Sequence, residues 1–103
     1  MAKKQTLGII VNSNRYFSFV IKLADAALDK GKQVRIHLLG PGLEFIKTDA
    51  CHRLCHLTQM SLCAFSAQQH ASQPMDEIEP GISLVPPHDL ATILQGCYRY
   101  VVF

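Results

Sequence analysis

The fold can be worked out from the segment Leu57-Thr58-Gln59-Met60-Ser61-Leu62-Cys63-Ala64-Phe65-Ser66-Ala67-Gln68-Gln69-His70. An apolar-weighted run of strand length ends at Cys63, and a short run compatible with a helix follows it. In open α/β sheets, ligands bind in the crevice outside the carboxyl ends of the strands. A helix start also offers unpaired N–H groups and a partial positive charge, which favour a thiolate over a thiol. Cys63 is therefore the first candidate for a functional residue.

Strand and helix patterns alternate on both sides of this segment. Predicted strands cover 5–12, 33–39, the run that ends at Cys63, 82–85 and 98–103, and predicted helices cover 15–30, 43–56, 66–71 and 87–95. Strict alternation predicts an α/β fold in which a five-stranded parallel sheet carries helices on both faces. With 103 residues, the whole chain 1–103 is expected to form a single domain. The polar, acidic segment 72–80, which contains Asp76, Glu77 and Glu79, is interpreted as a lid or docking loop.

Composition narrows the classes of function. Charged residues make up 17% of the chain, below the roughly 25% of typical globular proteins, so we expect an oligomer that hides apolar surface. The net charge is +2 without a dense basic run, which argues against a nucleic-acid partner. No apolar run approaches the roughly 20 residues of a membrane span, and the start lacks a signal-peptide pattern. These features predict a cytoplasmic protein that does not bind a membrane.

Two of the four cysteines lie in a cluster with two histidines. Cys51 and Cys55 are four residues apart, as are His52 and His56, so each pair can share one face of a helix. Such pairs can ligate zinc. However, about 100° per residue separates the two pairs, so one straight helix does not easily present all four side chains to one ion. Metal binding, a regulatory or relay dithiol and simple packing all remain open for this cluster.

Other polar residues are predicted near the same edge of the sheet as Cys63. Asn12 and Ser13 follow the first strand, where they can bind an anion or cap the next helix. His88 follows the fourth strand and can face the crevice or belong to a helix start. His70 comes seven residues after Cys63, about 10 Å along a helix, which is too far for a direct ion pair. No phosphate-binding glycine loop is present, and we expect no cofactor.

The chain resembles the DsrE family of small sulfur-relay proteins, which includes the TusD-type subunits. The likeness is carried by Gly8-Ile9-Ile10-Val11-Asn12 before an apolar-faced helix, by Leu62-Cys63 with Ala67 four residues after the cysteine, and by Leu90-Ala91 through Cys97-Tyr98-Arg99-Tyr100-Val101-Val102-Phe103. Many relatives place Arg-Gly seven and eight residues after the cysteine. This chain has His70 and Ala71 at those positions.

The resemblance implies a three-layer α/β/α domain and a cytoplasmic homo- or hetero-oligomer, either a trimer or a hexamer. It also implies that Cys63 carries sulfur as a persulfide between donor and acceptor proteins, as a sulfurtransferase or sulfur carrier does. Two alternatives follow from the residues. One is a non-catalytic interaction subunit of the same fold, and the other is a metal-binding protein that uses the cluster Cys51–His56.

Overall fold

The computed structural model describes residues 5–70 and 81–103, with only the backbone of His70. The predicted loop 72–80, with Asp76, Glu77 and Glu79, lies outside the described residues, as does Ala71. The strands are β1 (Thr6–Val11), β2 (Gln33–Leu38), β3 (Gln59–Cys63), β4 (Ile82–Val85) and β5 (Arg99–Val102). They form one sheet in the order β4-β3-β2-β1-β5, and every neighbouring pair is parallel. This arrangement confirms the predicted five-stranded parallel sheet.

The helices are α1 (Phe17–Asp29), α2 (Asp49–Leu54), α3 (Ala64–His70) and α4 (Leu90–Gln95). Two segments of 3₁₀ helix, Gly40–Lys47 and Pro87–Asp89, precede α2 and α4. The prediction of a continuous helix over 43–56 is wrong, because Thr48 has extended backbone. Its hydroxyl donates to the Phe45 carbonyl at 2.7 Å and accepts from the Cys51 N–H at 3.1 Å. A threonine that bonds its neighbouring backbone in this way ends one helical segment and caps the next.

The helices lie on both faces of the sheet because of the strand order. From β1 to β4 each step runs in the same direction, so right-handed crossovers place α1, α2 and α3 on one face. One core cluster accordingly contains Ala24, Leu54 and Ala67 from these helices. The connection from β4 to β5 runs back across the sheet and places α4 on the other face. The fold is therefore a three-layer α/β/α domain, as predicted.

The two faces of the sheet differ in polarity. The face under α1, α2 and α3 is apolar, and it includes Ile36 and Leu62 among its fully buried side chains. On the opposite face, His37 of β2 and Ser61 of β3 are register partners, and both are buried. Nδ1 of His37 lies 2.7 Å from the Ser61 hydroxyl. Burial, with a smaller contribution from the positive charge of Arg35, lowers the pKa of His37. His37 is thus a hydrogen-bonded core residue.

No helix within 5–70 and 81–103 is both long enough and apolar enough to cross a membrane.

A close approach between the 3₁₀ segment and β1 gives the first prediction. A Cβ atom on Gly42 would lie 2.0 Å from the Val11 carbonyl oxygen, which is backbone and cannot rotate away. We expect Gly42→Ala to lower the free energy of unfolding by about 3 kcal/mol, the upper end of ordinary overpacking costs. Urea denaturation followed by circular dichroism measures this change.

Gly96→Ala is the matched control, because a Cβ atom there meets nothing closer than the Ile93 carbonyl at 3.5 Å. We expect that substitution to change the stability by less than about 1 kcal/mol. Equal losses in the two variants would contradict the proposed packing constraint.

Candidate functional site at the carboxyl end of the sheet

The connections of β3 and β4 leave the sheet toward opposite faces. The helix after β3 packs into the apolar core on the first face, and α4 after β4 lies on the second face. Where the connections after two neighbouring parallel strands leave toward opposite faces, a crevice opens outside the carboxyl ends of the strands. Cys63 and Val85, the last residues of the two strands, are register partners at this point. The topology therefore places Cys63 at the position where open α/β sheets bind ligands.

The Cys63 sulfur is held by hydrogen bonds from the first turn of α3. Burial alone would raise the pKa of the Cys63 thiol. Hydrogen bonds from the backbone N–H and the hydroxyl of Ser66, and from the backbone N–H of Phe65, act in the opposite direction and outweigh it. The pKa of Cys63 is therefore lower than the ordinary thiol value of 9.0. A donor set of this kind stabilises a thiolate, which is the reactive form of cysteine.

Ser66 is itself held in place by the end of β2. The Gly40 N–H donates to the Ser66 hydroxyl oxygen at 2.9 Å. The Ser66 oxygen thus accepts a hydrogen bond from Gly40, while its hydroxyl hydrogen can be donated to the Cys63 sulfur. Ser66 is buried, with 8% of its surface exposed, so water competes little for either bond.

Gly40 occupies a position that favours glycine for two reasons. Its φ angle is +56°, in the left-handed region, and a Cβ atom would lie 2.9 Å from Oδ1 of Asn12. Asn12, Gly40, Ser66 and Cys63 therefore form a row of neighbours that crosses the carboxyl ends of β1, β2 and β3. The row connects the end of the first strand to the thiol through Gly40 and Ser66.

Asn12 and Ser13 do not cap the first helix, so that interpretation is wrong. Helix α1 begins four residues after Ser13, and the residue that precedes it, Tyr16, makes no capping bond through its side chain. Asn12 is exposed, and its N–H donates to the Phe103 carbonyl at 2.7 Å. The Ser13 hydroxyl is buried and has no hydrogen-bond partner among the described residues. The structure thus brings Asn12 into the row described above, whereas the Ser13 hydroxyl makes no hydrogen bond to it.

Of the two histidines predicted for the same site, His88 has a described side chain. His88 belongs to the 3₁₀ segment after β4, and 82% of its side chain is exposed. Its Nε2 atom is 3.5 Å from the Asp89 carboxylate rather than in contact with the thiol. His70 is the last residue of α3, and its side chain lies outside the described residues.

The cluster Cys51–His56 divides into two pairs, as the helical spacing predicts. Cys51 and Cys55 are buried in the hydrophobic core, whereas His52 and His56 are exposed. Within the described part of the chain, no group of three or more potential ligands could hold a metal ion. Cys51 donates to the sulfur of Met60 at 3.5 Å, and Cys55 donates to the His52 carbonyl at 3.2 Å. These contacts favour packing over a metal site or a surface dithiol.

The pKa values of the Cys63 and Cys97 thiols are shifted in opposite directions. Burial raises the pKa of Cys97, whose sulfur donates to the Ile93 carbonyl at 3.3 Å. Cys63 instead accepts hydrogen bonds and lies outside the hydrophobic core cluster that contains Cys51 and Cys55. It is nevertheless buried in the isolated chain, with 5% of its surface exposed.

Ser66 and Gly40 are site residues that reasoning from the sequence did not identify. A local signal for Ser66 exists, since a hydroxyl three positions after a strand-end residue matches the spacing of side-chain to backbone bonds at helix starts. No local signal joins Gly40 to Ser66, because the two residues are 26 positions apart.

The fold and the site together define an open parallel α/β domain with a hydrogen-bonded thiol at its topological switch point. No family model matches this sequence, and no curated protein matches it either.

The hydrogen bond from Ser66 gives the second prediction. Ser66→Ala removes one of the donors that favour the thiolate, so the pKa of Cys63 should rise and its thiolate should form at higher pH. The rate of iodoacetamide alkylation at Cys63, followed by peptide mass spectrometry across a pH series, measures the midpoint of this titration. The midpoint is used instead of the rate itself because the smaller side chain also changes access to the sulfur.

Ser83→Ala is the matched control, because Ser83 is exposed on β4 and makes no described bond to the thiol. Its midpoint should equal that of the unmodified protein. An unchanged midpoint in Ser66→Ala would show that Ser66 does not stabilise the thiolate.

Proposed function

We propose that this protein is a cytoplasmic sulfur carrier of the DsrE type and that Cys63 bears the transferred sulfur as a persulfide. The supporting observation is the set of hydrogen bonds from Phe65 and Ser66 that lowers the pKa of the Cys63 thiol at the switch point. The cytoplasm suits this chemistry because its thiols are kept reduced. The proposal needs no metal and no organic cofactor.

The transfer is a pair of displacements at sulfur. The Cys63 thiolate attacks the outer sulfur of a donor persulfide, R–S–SH. A new S–S bond to Cys63 forms, the S–S bond of the donor breaks, and the electron pair leaves on the donor thiolate. In the second step an acceptor thiolate attacks the outer sulfur on Cys63, and the Cys63 thiolate is released. Each step exchanges one S–S bond for another, so no external oxidant or reductant is consumed.

The same hydrogen bonds assist both steps. A larger thiolate fraction near neutral pH favours the attack on the donor. In the second step Cys63 is the leaving group, and a thiol with a lower pKa leaves faster. A residue that is both available as a nucleophile and ready to leave suits a carrier, which has to release the sulfur that it has accepted.

Access to the sulfur depends on a docked partner in this proposal, because only 5% of Cys63 is exposed. Exposed aromatic side chains near the same edge of the sheet support such docking. Phe65, two residues after Cys63, is 54% exposed, and Phe19 in the first turn of α1 is 58% exposed. We infer that the donor covers these rings and moves the first turn of α3 enough to reach the thiol.

The third prediction concerns the site of sulfur loading. After incubation with a persulfide donor, mass spectrometry of the intact protein and its peptides should show one added sulfur, on Cys63. Cys63→Ser should abolish loading and transfer, since the hydroxyl of serine does not form a persulfide. Cys97→Ser is the matched control and should load normally, because the Cys97 thiol has a raised pKa.

Loading of a different cysteine while Cys63 stays unmodified would overturn the assignment of the site. If Cys63→Ser leaves the activity of partner proteins intact, the chain is instead a non-catalytic interaction subunit. A zinc content that is stoichiometric and lost in Cys55→Ser would favour the metal-binding alternative.

Self-association is the second part of the proposal, and the exposure of the edge strand β5 favours it. Strand β5 pairs with β1 on one side and forms an outer edge of the sheet. All of its residues are exposed, including Tyr100 at 54% and Val102 at 59%. An exposed, largely apolar edge strand is a template for pairing with another chain. We propose that a second copy of this chain covers it.

The fourth prediction tests this interface with a charge. Val102→Lys should convert the oligomer into a monomer in multi-angle light scattering at micromolar concentration, because a lysine disfavours pairing at a sheet edge. Leu57→Lys is the matched control, since Leu57 is exposed to a similar extent, 54%, but lies between α2 and β3. A monomeric unmodified protein, or equal dissociation in both variants, would contradict the proposed interface.

A further inference from the structure

A pocket of about 340 Å³ opens at the amino end of the sheet. It lies between the start of β1, the second half of α1 and the start of β5, and its lining includes Leu7, Leu23 and Tyr98. Because all strands are parallel, this pocket is at the opposite end of the sheet from Cys63. None of the residues of the candidate thiol site lines it, so it is a separate feature of the molecule.

The body of the pocket is apolar. Leu7 of β1, Leu23, Ala26 and Ala27 of α1 and the ring of Tyr98 supply aliphatic and aromatic walls. Small-molecule sites typically have this character, with apolar walls and a few polar groups that orient the ligand. The volume lies near the lower end of the range of about 300–1,000 Å³ that such sites cover, which suits a small ligand.

The charged groups of the lining all have one sign. Lys30, Lys32 and Arg99 contribute three cations, and no carboxylate within 5–70 and 81–103 lines the pocket. The Lys32 ammonium donates to the Gln5 side-chain carbonyl, and the Arg99 guanidinium lies 5.5 Å from the centroid of the Tyr98 ring. Both partners are neutral, so they orient the two cations without cancelling their charge. Across 5–70 and 81–103, none of the three cations forms a salt bridge with a carboxylate.

We propose that this pocket binds a small organic monoanion with an apolar body, such as a medium-chain carboxylate. The apolar walls hold the body, and the three cations hold the carboxylate at the rim. The three cations attract the carboxylate electrostatically, and the hydrocarbon part gains from leaving water. This inference goes beyond the proposed sulfur transfer, because it uses a different set of residues at the other end of the sheet.

Octanoate is the probe for this site. Titration of the full-length protein, followed by isothermal calorimetry and by ¹H–¹⁵N NMR, should show saturable binding with shifts at Leu7, Ala26 and Arg99. Octanol lacks the charge, and acetate and inorganic phosphate lack the apolar body. Each of these three compounds should bind at least tenfold more weakly than octanoate.

Variants separate the contributions of charge and shape. Lys32→Gln and Arg99→Gln should each weaken octanoate binding at least fivefold, whereas Lys22→Gln, an exposed lysine of α1 outside the lining, should not. Ala26→Leu fills the pocket and should weaken binding at least tenfold. Its control is Ala91→Leu, which makes the same change on the exposed side of α4. Light scattering of each variant verifies that the association state is unchanged.

Failure of octanoate to bind folded protein at millimolar concentration would overturn the proposal. Equal binding of octanol would show an apolar patch without anion recognition, and equal binding of phosphate would show a cationic surface without a ligand pocket. Shifts confined to residues outside the pocket would also overturn it. Because Cys63 takes no part in this test, the result is independent of whether sulfur loading succeeds.

Discussion

The hydrogen bond from the Gly40 N–H to the Ser66 hydroxyl joins the end of β2 to the first turn of α3. It holds the Ser66 oxygen in place, and Ser66 is one of the residues whose hydrogen bonds lower the pKa of Cys63. Gly40 has a positive φ angle, which favours glycine, and a Cβ atom there would lie 2.9 Å from Oδ1 of Asn12. One backbone conformation at the end of a neighbouring strand therefore helps to determine how readily a thiol ionises.

The order of the strands explains why a thiol at the end of β3 is a candidate functional group. Connections on the same face would close the space beyond β3 and β4, whereas connections on opposite faces leave a crevice there. Among the described residues, the second face of the sheet carries the short helix α4 and the buried polar pair His37–Ser61. The buried polar pair thus lies on the face of the sheet opposite the apolar cluster that packs against α1, α2 and α3.

The burial of Cys63 and the exposure of β5 are connected in the proposed function. In the proposed function, the Cys63 sulfur is reached through a docked partner, because only 5% of the residue is exposed in the isolated chain. A chain of 103 residues with few charges leaves apolar side chains at its edges, and covering them with other chains stabilises the assembly. The proposed thiol chemistry and the proposed self-association would therefore both complete a surface that is open in a single copy.

The alternation of apolar strands with amphipathic helices was sufficient to predict the five-stranded parallel sheet and the placement of Cys63 at a strand end, because both depend on local patterns. The separation of Cys51 and Cys55 from His52 and His56 onto different faces of the helical segment also followed from helical geometry alone. The break at Thr48, the orphan hydroxyl of Ser13 and the bond between Gly40 and Ser66 were not predictable in this way. They arise where segments distant in the chain meet, and the spacing of residues along a sequence does not record which backbone groups the fold brings together.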